Sequence, residues 1–464
     1  MQNLSHAATL AIGALSFSMA TTAGAGPISQ SNLAPAGTIE QAKTAIRNGN
    51  YAEASRILQP LAEHDDPVAQ TNLGLLYDIG LGVTQDELVA VWWFRLAAAH
   101  GSAAAQSYLG VMYDNGRGVP RNYPEALHFY RLAAAQGNTT AQYNLGVMYD
   151  SGRGVTRNFT EAAKWYRLSA AQGNAAAQFN LGVMYTDGHG VTQNSSEALK
   201  WWLLAAEQGF EPAQARLGLK FANGQGVAQN YAEAAKWYRL AAAQGNATAQ
   251  YSLAVMYDNG QGVTQDFIEA AKWYQLAAAQ GSVRAQLSLG VMYENGLGVA
   301  RDFTEAAKWY RLAAAQNDAT ARNFLGSIYA DGRGVAQNYA EALKWYRLSA
   351  AQGDVTAQYN LGEMAAEGQG RLQNYSEALK WFRLAARHGQ TGAQTAMGAL
   401  YANGQGVIQN TVKGYAWYAI AAAHGNDEAR NYRNELLGHL TQAQVAAGQA
   451  LAAKCENSNF KDCE

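Results

Sequence analysis

A six-residue motif with two glycines recurs ten times at intervals of 36 residues, without an insertion or deletion. Two of its copies are DNGRGV from Asp114 and DSGRGV from Asp150. A strict period of this length is typical of solenoid repeat proteins, so it overrides the roughly three domains that length alone would suggest. The copies begin at Asp78, Asp114, Asp150, Thr186, Ala222, Asp258, Glu294, Ala330, Ala366 and Ala402.

Each period contains two segments with the apolar spacing of an α-helix. In the period that starts at Thr140, the first predicted helix ends at Ser151-Gly152, where glycine can adopt a left-handed conformation. The second helix is predicted to begin near Thr160 and to end at Gln172–Asn174. The motif therefore connects two helices.

A glycine pair flanking an arginine, as in Gly116-Arg117-Gly118, could also cradle a phosphate. Such cradles lie between a strand and a helix, whereas this motif lies between helices. Its middle residue also varies among Arg, His, Gln and Leu from copy to copy. We therefore interpret the motif as a structural turn and reject a phosphate site.

Another recurring glycine lies inside the first helix, as at Gly146. Because glycine in a helix costs about 1 kcal/mol relative to alanine, we expect it to allow close approach of a neighbouring helix. The ring of Trp165 and its counterparts is the predicted neighbour.

The charged residues exclude some functions as the main one. The chain has 34 Lys and Arg, 36 Asp and Glu, and a net charge of −2, without a long run of one sign. Nucleic acids and anionic membranes need clustered Lys and Arg, so the sequence argues against both partners.

The first 25 residues differ in composition from the rest. An uncharged apolar run, Ala7 to Ala20, precedes Ala23-x-Ala25, which predicts a secretory signal peptide cleaved after Ala25. The alternative is an uncleaved anchor or a disordered tail, because the segment before the run has no Lys or Arg. With a cleaved signal, the protein is expected to be exported, periplasmic or secreted, with no membrane insertion.

The two cysteines, Cys455 and Cys463, both lie near the end of the chain. In an exported protein such a pair favours one disulfide. A metal site would need further ligands, and this tail contains no His; no metal and no cofactor are predicted.

The pattern AQ-x-x-LG-x-x-Y-x-x-G-x-GV followed by EA-x-x-WY-x-x-A-A-x-x-G resembles the Sel1-like repeat family, which is related to the tetratricopeptide repeat. The resemblance implies an all-α fold: an α/α solenoid, wound as a right-handed superhelix, of about ten 36-residue repeats with capping helices. It also implies an adaptor that binds proteins, with the first helices on the concave face.

The resulting domain prediction has five parts. Residues 1–25 form the signal peptide, 26–37 a flexible linker and 38–66 a tetratricopeptide-like N-terminal cap. Residues 67–426 form ten Sel1-like repeats, and 427–464 form C-terminal capping helices and the disulfide tail. Terminal caps are expected because a solenoid must cover its open ends.

By analogy with tetratricopeptide arrays, the first-helix positions of Thr140, Tyr143, Val147 and Asp150 should line the concave face. Aromatic anchors beside carboxylates suit a segment with apolar and basic side chains. The alternative is that these residues only pack against the next repeat. The predicted partner-binding residues are Tyr143, Phe179, Tyr251, Tyr359, Asp114, Asp150, Asp258 and Glu294.

Five residues depart from the repeat pattern. Ala254 replaces the helix glycine and Asn317 the closing glycine. Phe221 and Ala365 replace the tyrosine, and Arg371 replaces the loop valine. Two of the five lie in the repeat around Gly362, so we expect the weakest interface there.

Three functional hypotheses remain open. The first is an exported scaffold for a protein or peptide, and the second is an envelope protein that binds peptidoglycan or another glycan. The third, a β-lactamase-like hydrolase, is disfavoured because the only S-x-x-K, Ser458 to Lys461, lacks its partner motifs. We expect no enzyme activity and no nucleic-acid partner.

Overall fold

The computed structural model describes residues 37–458 together with Phe460 and Cys463. The predicted signal peptide and all of the predicted linker except Gly37 lie outside the described residues. Within the described part, the regular secondary structure consists of 24 α-helices without a strand. The predicted all-α repeat fold is therefore confirmed.

The helices are numbered in chain order. They are α1 Ile39–Arg47, α2 Tyr51–Glu63, α3 Pro67–Ile79, α4 Glu87–Ala99, α5 Ala103–Asn115, α6 Tyr123–Ala135, α7 Thr139–Ser151, α8 Phe159–Ala171, α9 Ala175–Asp187, α10 Ser195–Glu207, α11 Glu211–Asn223, α12 Tyr231–Ala243, α13 Ala247–Asn259, α14 Phe267–Ala279, α15 Val283–Asn295, α16 Phe303–Ala315, α17 Ala319–Asp331, α18 Tyr339–Ala350, α19 Val355–Glu367, α20 Tyr375–Arg387, α21 Thr391–Asn403, α22 Thr411–Ala423, α23 Asp427–Leu437 and α24 Gln442–Asn457.

Local side chains fix where each helix begins and ends. The Asn138 side chain accepts a hydrogen bond from the Ala141 amide and so caps α7, which ends at the left-handed Gly152. Asn158 caps α8 in the same way through the Glu161 amide. The second helix thus begins at Phe159, one residue before the predicted Thr160.

The chain divides between Gln229 and Asn230 into two compact units, here called unit 1 and unit 2. Within each unit the core is a series of clusters between the second helix of one repeat and the first helix of the next. One cluster joins Ala162 and Tyr166 of α8 to Leu181 and Met184 of α9. Each repeat therefore buries its apolar side against its neighbours, as in other repeat proteins.

The glycine inside the first helix does allow close packing, but Trp165 is not its neighbour. A Cβ at Gly146 would lie 2.5 Å from Cδ1 of Tyr166, which is buried. Trp165 packs instead on the cluster that contains Leu145 and Met148. The prediction was wrong because adjacent helical residues point about 100° apart, so Tyr166 rather than Trp165 faces α7.

The second glycine of the motif allows a close contact between backbones. Gly190 has φ +69°, and a Cβ there would lie 2.1 Å from the carbonyl oxygen of Phe159. The turn of one repeat therefore rests on the start of the second helix of the preceding repeat. This contact confirms a structural role for the motif between helices.

A buried glutamine connects three helices in most repeats. Gln178 of α9 donates to the carbonyl of Ala170 at 3.1 Å and accepts from Gln208 at 2.8 Å. His100 and His424 occupy the position of Gln208 in their own repeats, and each ring nitrogen lies within 3.4 Å of the corresponding glutamine. Such bonds satisfy polar groups that would otherwise be costly to bury.

The departures from the pattern have different structural consequences. Asn317 takes the left-handed conformation of the glycine it replaces, with φ +69°. Ala365 is fully buried, and Arg371 in the same repeat donates to the carbonyl of Leu361 at 3.2 Å and pairs with Glu377. The weak interface at this repeat stays a prediction.

Helices that precede and follow the repeats occupy the predicted cap regions. The α1 and α2 helices lie within residues 38–66, and Thr38 forms a capping box with Gln41. The α23 and α24 helices both pack against α22. Cys455 at the end of α24 is disulfide-bonded to Cys463, and Phe460 between them stacks on Trp417.

Candidate functional site

The predicted binding residues lie on one side of the first helices. Tyr143, Val147 and Asp150 are spaced i, i+4 and i+7 on α7, so they share a helix face, and all three are partly exposed. We call this face, in each unit, the first-helix surface. It contains the eight predicted residues Tyr143, Phe179, Tyr251, Tyr359, Asp114, Asp150, Asp258 and Glu294, all of them half-buried.

The predicted aromatic residues pack on one side and are open on the other. The Tyr143 ring lies 6.0 Å from that of Tyr166, and Tyr251 lies 5.7 Å from Tyr274. Tyr359 lies 5.8 Å from Phe382 in the same way. These rings thus contribute to the helix pair and still leave part of their faces accessible, so packing and binding are compatible roles.

Two of the predicted acids are neutralised within the chain. Arg333 Nη1 lies 2.6 Å from Glu294 Oε1, and Arg153 Nη1 lies 3.4 Å from Asp114 Oδ1, an ion pair without hydrogen-bond geometry. An equivalent ion pair joins Asp78 and Arg117, with Arg117 Nη2 2.5 Å from Asp78 Oδ1. In each pair the arginine is the middle residue of the next repeat's glycine motif.

This pairing explains part of the variation in the turn. In three repeats an acid at the end of the first helix is followed, 39 residues later, by arginine. In the four repeats that have alanine or threonine at this position and precede another repeat, the residue 39 positions later is glutamine. Sequence reasoning treated the middle residue as arbitrary. Comparing positions 39 residues apart could have revealed the relation.

Asp150 and Asp258 differ from the other two acids. The residue 39 positions after Asp150 is His189, and the residue 39 positions after Asp258 is Leu297, so neither acid has an arginine from the next turn. His189 stacks on Phe159 with ring centroids 4.5 Å apart. These two acids keep a negative charge that the following repeat does not neutralise with arginine.

A buried tyrosine lies near each of these acids. Tyr274 donates to Asp258 Oδ2 at 3.3 Å, and the Asp150 carboxylate lies close enough to Tyr166 to raise the pKa of its hydroxyl. Burial raises the pKa of each of these tyrosines, and the charge of the adjacent carboxylate raises it further by a smaller amount. Each hydroxyl therefore stays protonated, and that of Tyr274 orients its carboxylate as a donor.

The result is the same three-residue arrangement once in each unit. Tyr143, Val147 and Asp150 form it in unit 1, and Tyr251, Val255 and Asp258 form it in unit 2. We call each of these groups an aromatic–acid patch. In chemical terms each offers an aromatic face, an aliphatic contact and a carboxylate, which suits a lysine or arginine side chain.

The ninth period has a different acidic group on the same surface. Burial is the main cause that raises the pKa of Glu363, and the charge of the Glu367 carboxylate is the second. A hydrogen bond with Tyr359 lowers this pKa and so opposes the shift. Burial and the Glu363 charge raise the pKa of Tyr359 to about 12. Two carboxylates one helical turn apart repel each other here.

The other features bear on the alternative functions. Within the described part of the chain, no group of three or more His, Cys, Asp or Glu side chains could hold a metal ion. Of the S-x-x-K residues, Ser458 donates to the carbonyl of Cys455, while Lys461 lies outside the described residues. None of the helices in residues 37–458 has the length and hydropathy needed to cross a membrane.

Comparison with protein families identifies the repeat. The model for the Sel1 repeat matches ten consecutive segments of 36 residues that together cover residues 67–426. The chain belongs to the Sel1 repeat family. The aromatic–acid patches lie in Sel1 repeats 3 and 6, residues 139–174 and 247–282.

Solved structures agree with this assignment. A protective antigen present in uropathogenic Escherichia coli strains, which displays an SLR fold, is 35% identical, with TM-score 0.68 over 88% of this chain and 96% of its own. A Sel1 repeat protein from Oxalobacter formigenes is 32% identical, with TM-score 0.50 over 67% of this chain and 89% of its own. No curated protein matches the chain.

Proposed function

We propose that this Sel1 repeat protein is an exported adaptor whose first-helix surface binds a protein segment that carries Lys or Arg beside apolar side chains. The observation that carries the proposal is the aromatic–acid patch. In it, a half-buried tyrosine lies on the same helix face as a carboxylate two turns later, and that carboxylate has no arginine from the next repeat's turn. A basic side chain of a partner would neutralise that charge and cover the ring.

Export rests on two features of the chain. The first 25 residues have the pattern of a signal peptide. Cys455 and Cys463 are joined as a disulfide, a bond that persists in oxidising compartments such as the periplasm and the extracellular space.

The test is affinity capture by the immobilised mature chain from envelope and culture proteins. The binding variant is Asp150→Asn with Asp258→Asn, and its matched control is Asp114→Asn with Glu294→Gln. We expect the partner to be lost from the first variant and retained by the control, because only the first removes uncompensated charges. Circular dichroism melting curves establish that all forms are equally folded.

Removing the rings tests the aromatic part of the patches. We expect the triple variant Tyr143→Ala, Phe179→Ala and Tyr251→Ala to lose the same partner. Equal retention by all variants would contradict a role of the first-helix surface in binding. Retention of only sugar-rich wall fragments would support the alternative of an envelope protein that binds glycan.

A further inference from the structure

The second helices of unit 2 present a row of exposed leucines. Leu276 and Leu312 are each 49% exposed, although large apolar side chains are usually buried. They occupy equivalent positions in successive repeats, on the side of the helix turned away from the core. The full row is Leu240, Leu276, Leu312, Leu348 and Leu384, between 40% and 49% exposed.

Basic residues surround this row. The helices α12, α14, α16, α18 and α20 together contain ten Lys and Arg against five Glu, which gives a net charge of +5. Every one of the five carries lysine four positions before the exposed leucine, as Lys308 precedes Leu312. Four of them carry arginine immediately before it, as at Arg311. We call this side of the five helices the basic leucine face.

The glutamates on these helices are already paired, four of them with the row's own lysines, so the excess positive charge comes mainly from the arginines. Glu233 and Glu341 pair with the lysines three residues later, at 3.6 and 3.1 Å, and Glu377 pairs with Arg371. Two of the four arginines have neutral partners: Arg239 donates to the Tyr257 hydroxyl at 3.0 Å, and Arg311 donates to the Tyr329 hydroxyl at 3.0 Å. A hydroxyl fixes the direction of a guanidinium without cancelling its charge.

The repeat fold alone does not require this charge. In unit 1, Leu132, Leu168 and Leu204 are similarly exposed, from 38% to 44%. Yet α4, α6, α8 and α10 contain five Lys and Arg against five Glu, a net charge of zero. The leucine row is thus common to both units, whereas the basic excess is specific to unit 2.

The first helices of unit 2 have the opposite charge. The helices α13, α15, α17, α19 and α21 contain five Asp and Glu against two Arg, a net charge of −3. Unit 2 therefore separates its charges between two sets of helices. An anionic partner is favoured at the basic leucine face and disfavoured at the first-helix surface.

We propose that the basic leucine face binds the surface of a bilayer that contains anionic phospholipids. Lysine and arginine would contact phosphate headgroups, and the leucines between them would enter the boundary with the acyl chains. A soluble polyanion would use the cations but leave the leucines in water. The regular repetition of the same three residues fits a ligand whose anionic groups also repeat.

The test uses vesicle co-sedimentation of the full mature chain. The vesicles contain phosphatidylcholine alone or with about one third phosphatidylglycerol, as a negative surface attracts basic segments. The test variant is Arg239→Gln, Arg311→Gln and Arg347→Gln, and glutamine is already present at the equivalent Gln275. The matched control in unit 1 is Arg95→Gln, Arg131→Gln and Arg167→Gln.

We expect binding only to the anionic vesicles. Each cation near such a surface contributes about a fivefold factor, so the test variant should bind roughly a hundredfold more weakly. The control should bind nearly as the unmodified chain does. Raising the salt concentration should weaken binding, because the interaction is electrostatic.

Two results would overturn the proposal. One is equal loss of binding in the test and control variants. The other is a Leu276→Ser, Leu312→Ser double variant that binds anionic vesicles as well as the unmodified chain, since this would indicate a site for polyanions of any kind.

Discussion

Replacing two glycines of the fourth repeat by alanine separates backbone conformation from close packing. Gly190 and Gly209 both have positive φ, +69° and +84°. A Cβ at Gly209 would meet no atom within 4 Å, whereas one at Gly190 would lie 2.1 Å from the Phe159 carbonyl oxygen. Gly190→Ala and Gly209→Ala should therefore both incur the cost of a left-handed alanine. Only Gly190→Ala should also cause a steric clash with the Phe159 carbonyl.

The magnitudes follow from that geometry. A left-handed conformation costs an L-residue about 1–2 kcal/mol, so Gly209→Ala should lower the free energy of unfolding by that amount. At Gly190 the turn must also move away from α8, because non-bonded carbon contacts are optimal near about 3.5 Å. Overpacking of this kind adds about 1–3 kcal/mol, so Gly190→Ala should cost about 2–5 kcal/mol in total.

Urea denaturation followed by circular dichroism measures both costs, and hydrogen exchange locates them. For Gly190→Ala we expect faster exchange on both sides of the contact, at the start of α8 and in the turn before α10. For Gly209→Ala the change should stay near the end of α10. Equal destabilisation by the two variants would refute the reasoning, since it would mean that the close approach adds nothing to the conformational cost.

Three further outcomes are expected. The pKa of the Glu363 carboxyl is raised in the native state, so ionisation of this carboxyl destabilises the native state as the pH rises above the pKa it has in the unfolded chain. Glu363→Gln should therefore raise the melting temperature at pH 7 but not at pH 3.5. A melting temperature that falls at pH 7 would contradict this. Gln178→Leu should lower the free energy of unfolding by about 1–3 kcal/mol, because the Ala170 carbonyl and Gln208 lose a partner; an unchanged urea midpoint would count against it. Hydrogen exchange should be fastest in the repeat at residues 355–390, which has Ala365 in place of tyrosine, and uniform protection across the repeats would argue against a weak interface.

Much of the fold could be predicted from sequence because its signals are local and repeated. Gly152 ends α7, and the match to ten consecutive 36-residue segments confirms the number and length of the repeats. The neighbour of Gly146 could not be obtained this way. Trp165 and Tyr166 both recur with the same period, and only the rotation of α8 against α7 selects Tyr166.

The candidate site was predicted as a set of equivalent positions, and the structure divides that set. Asp114 and Asp150 have the same place in their repeats, but Arg153 pairs with Asp114, whereas the residue 39 positions after Asp150 is His189. The difference depends on a residue 39 positions away. Single-repeat reasoning does not include that residue, because it treats each repeat as an independent unit.

The sequence by itself determined the repeat length, the helix pairs and the turns, since each depends on residues close together in the chain. Tertiary structure decided which charges lie together. Arg239, Arg311 and Arg347 are separated by 72 and 36 residues along the chain, so the sequence contains no basic cluster. Stacking places the second helices of unit 2 in register with the leucines, and a basic surface results. Charge interactions depend on distance in space rather than along the chain, which is why composition alone argued against an anionic partner.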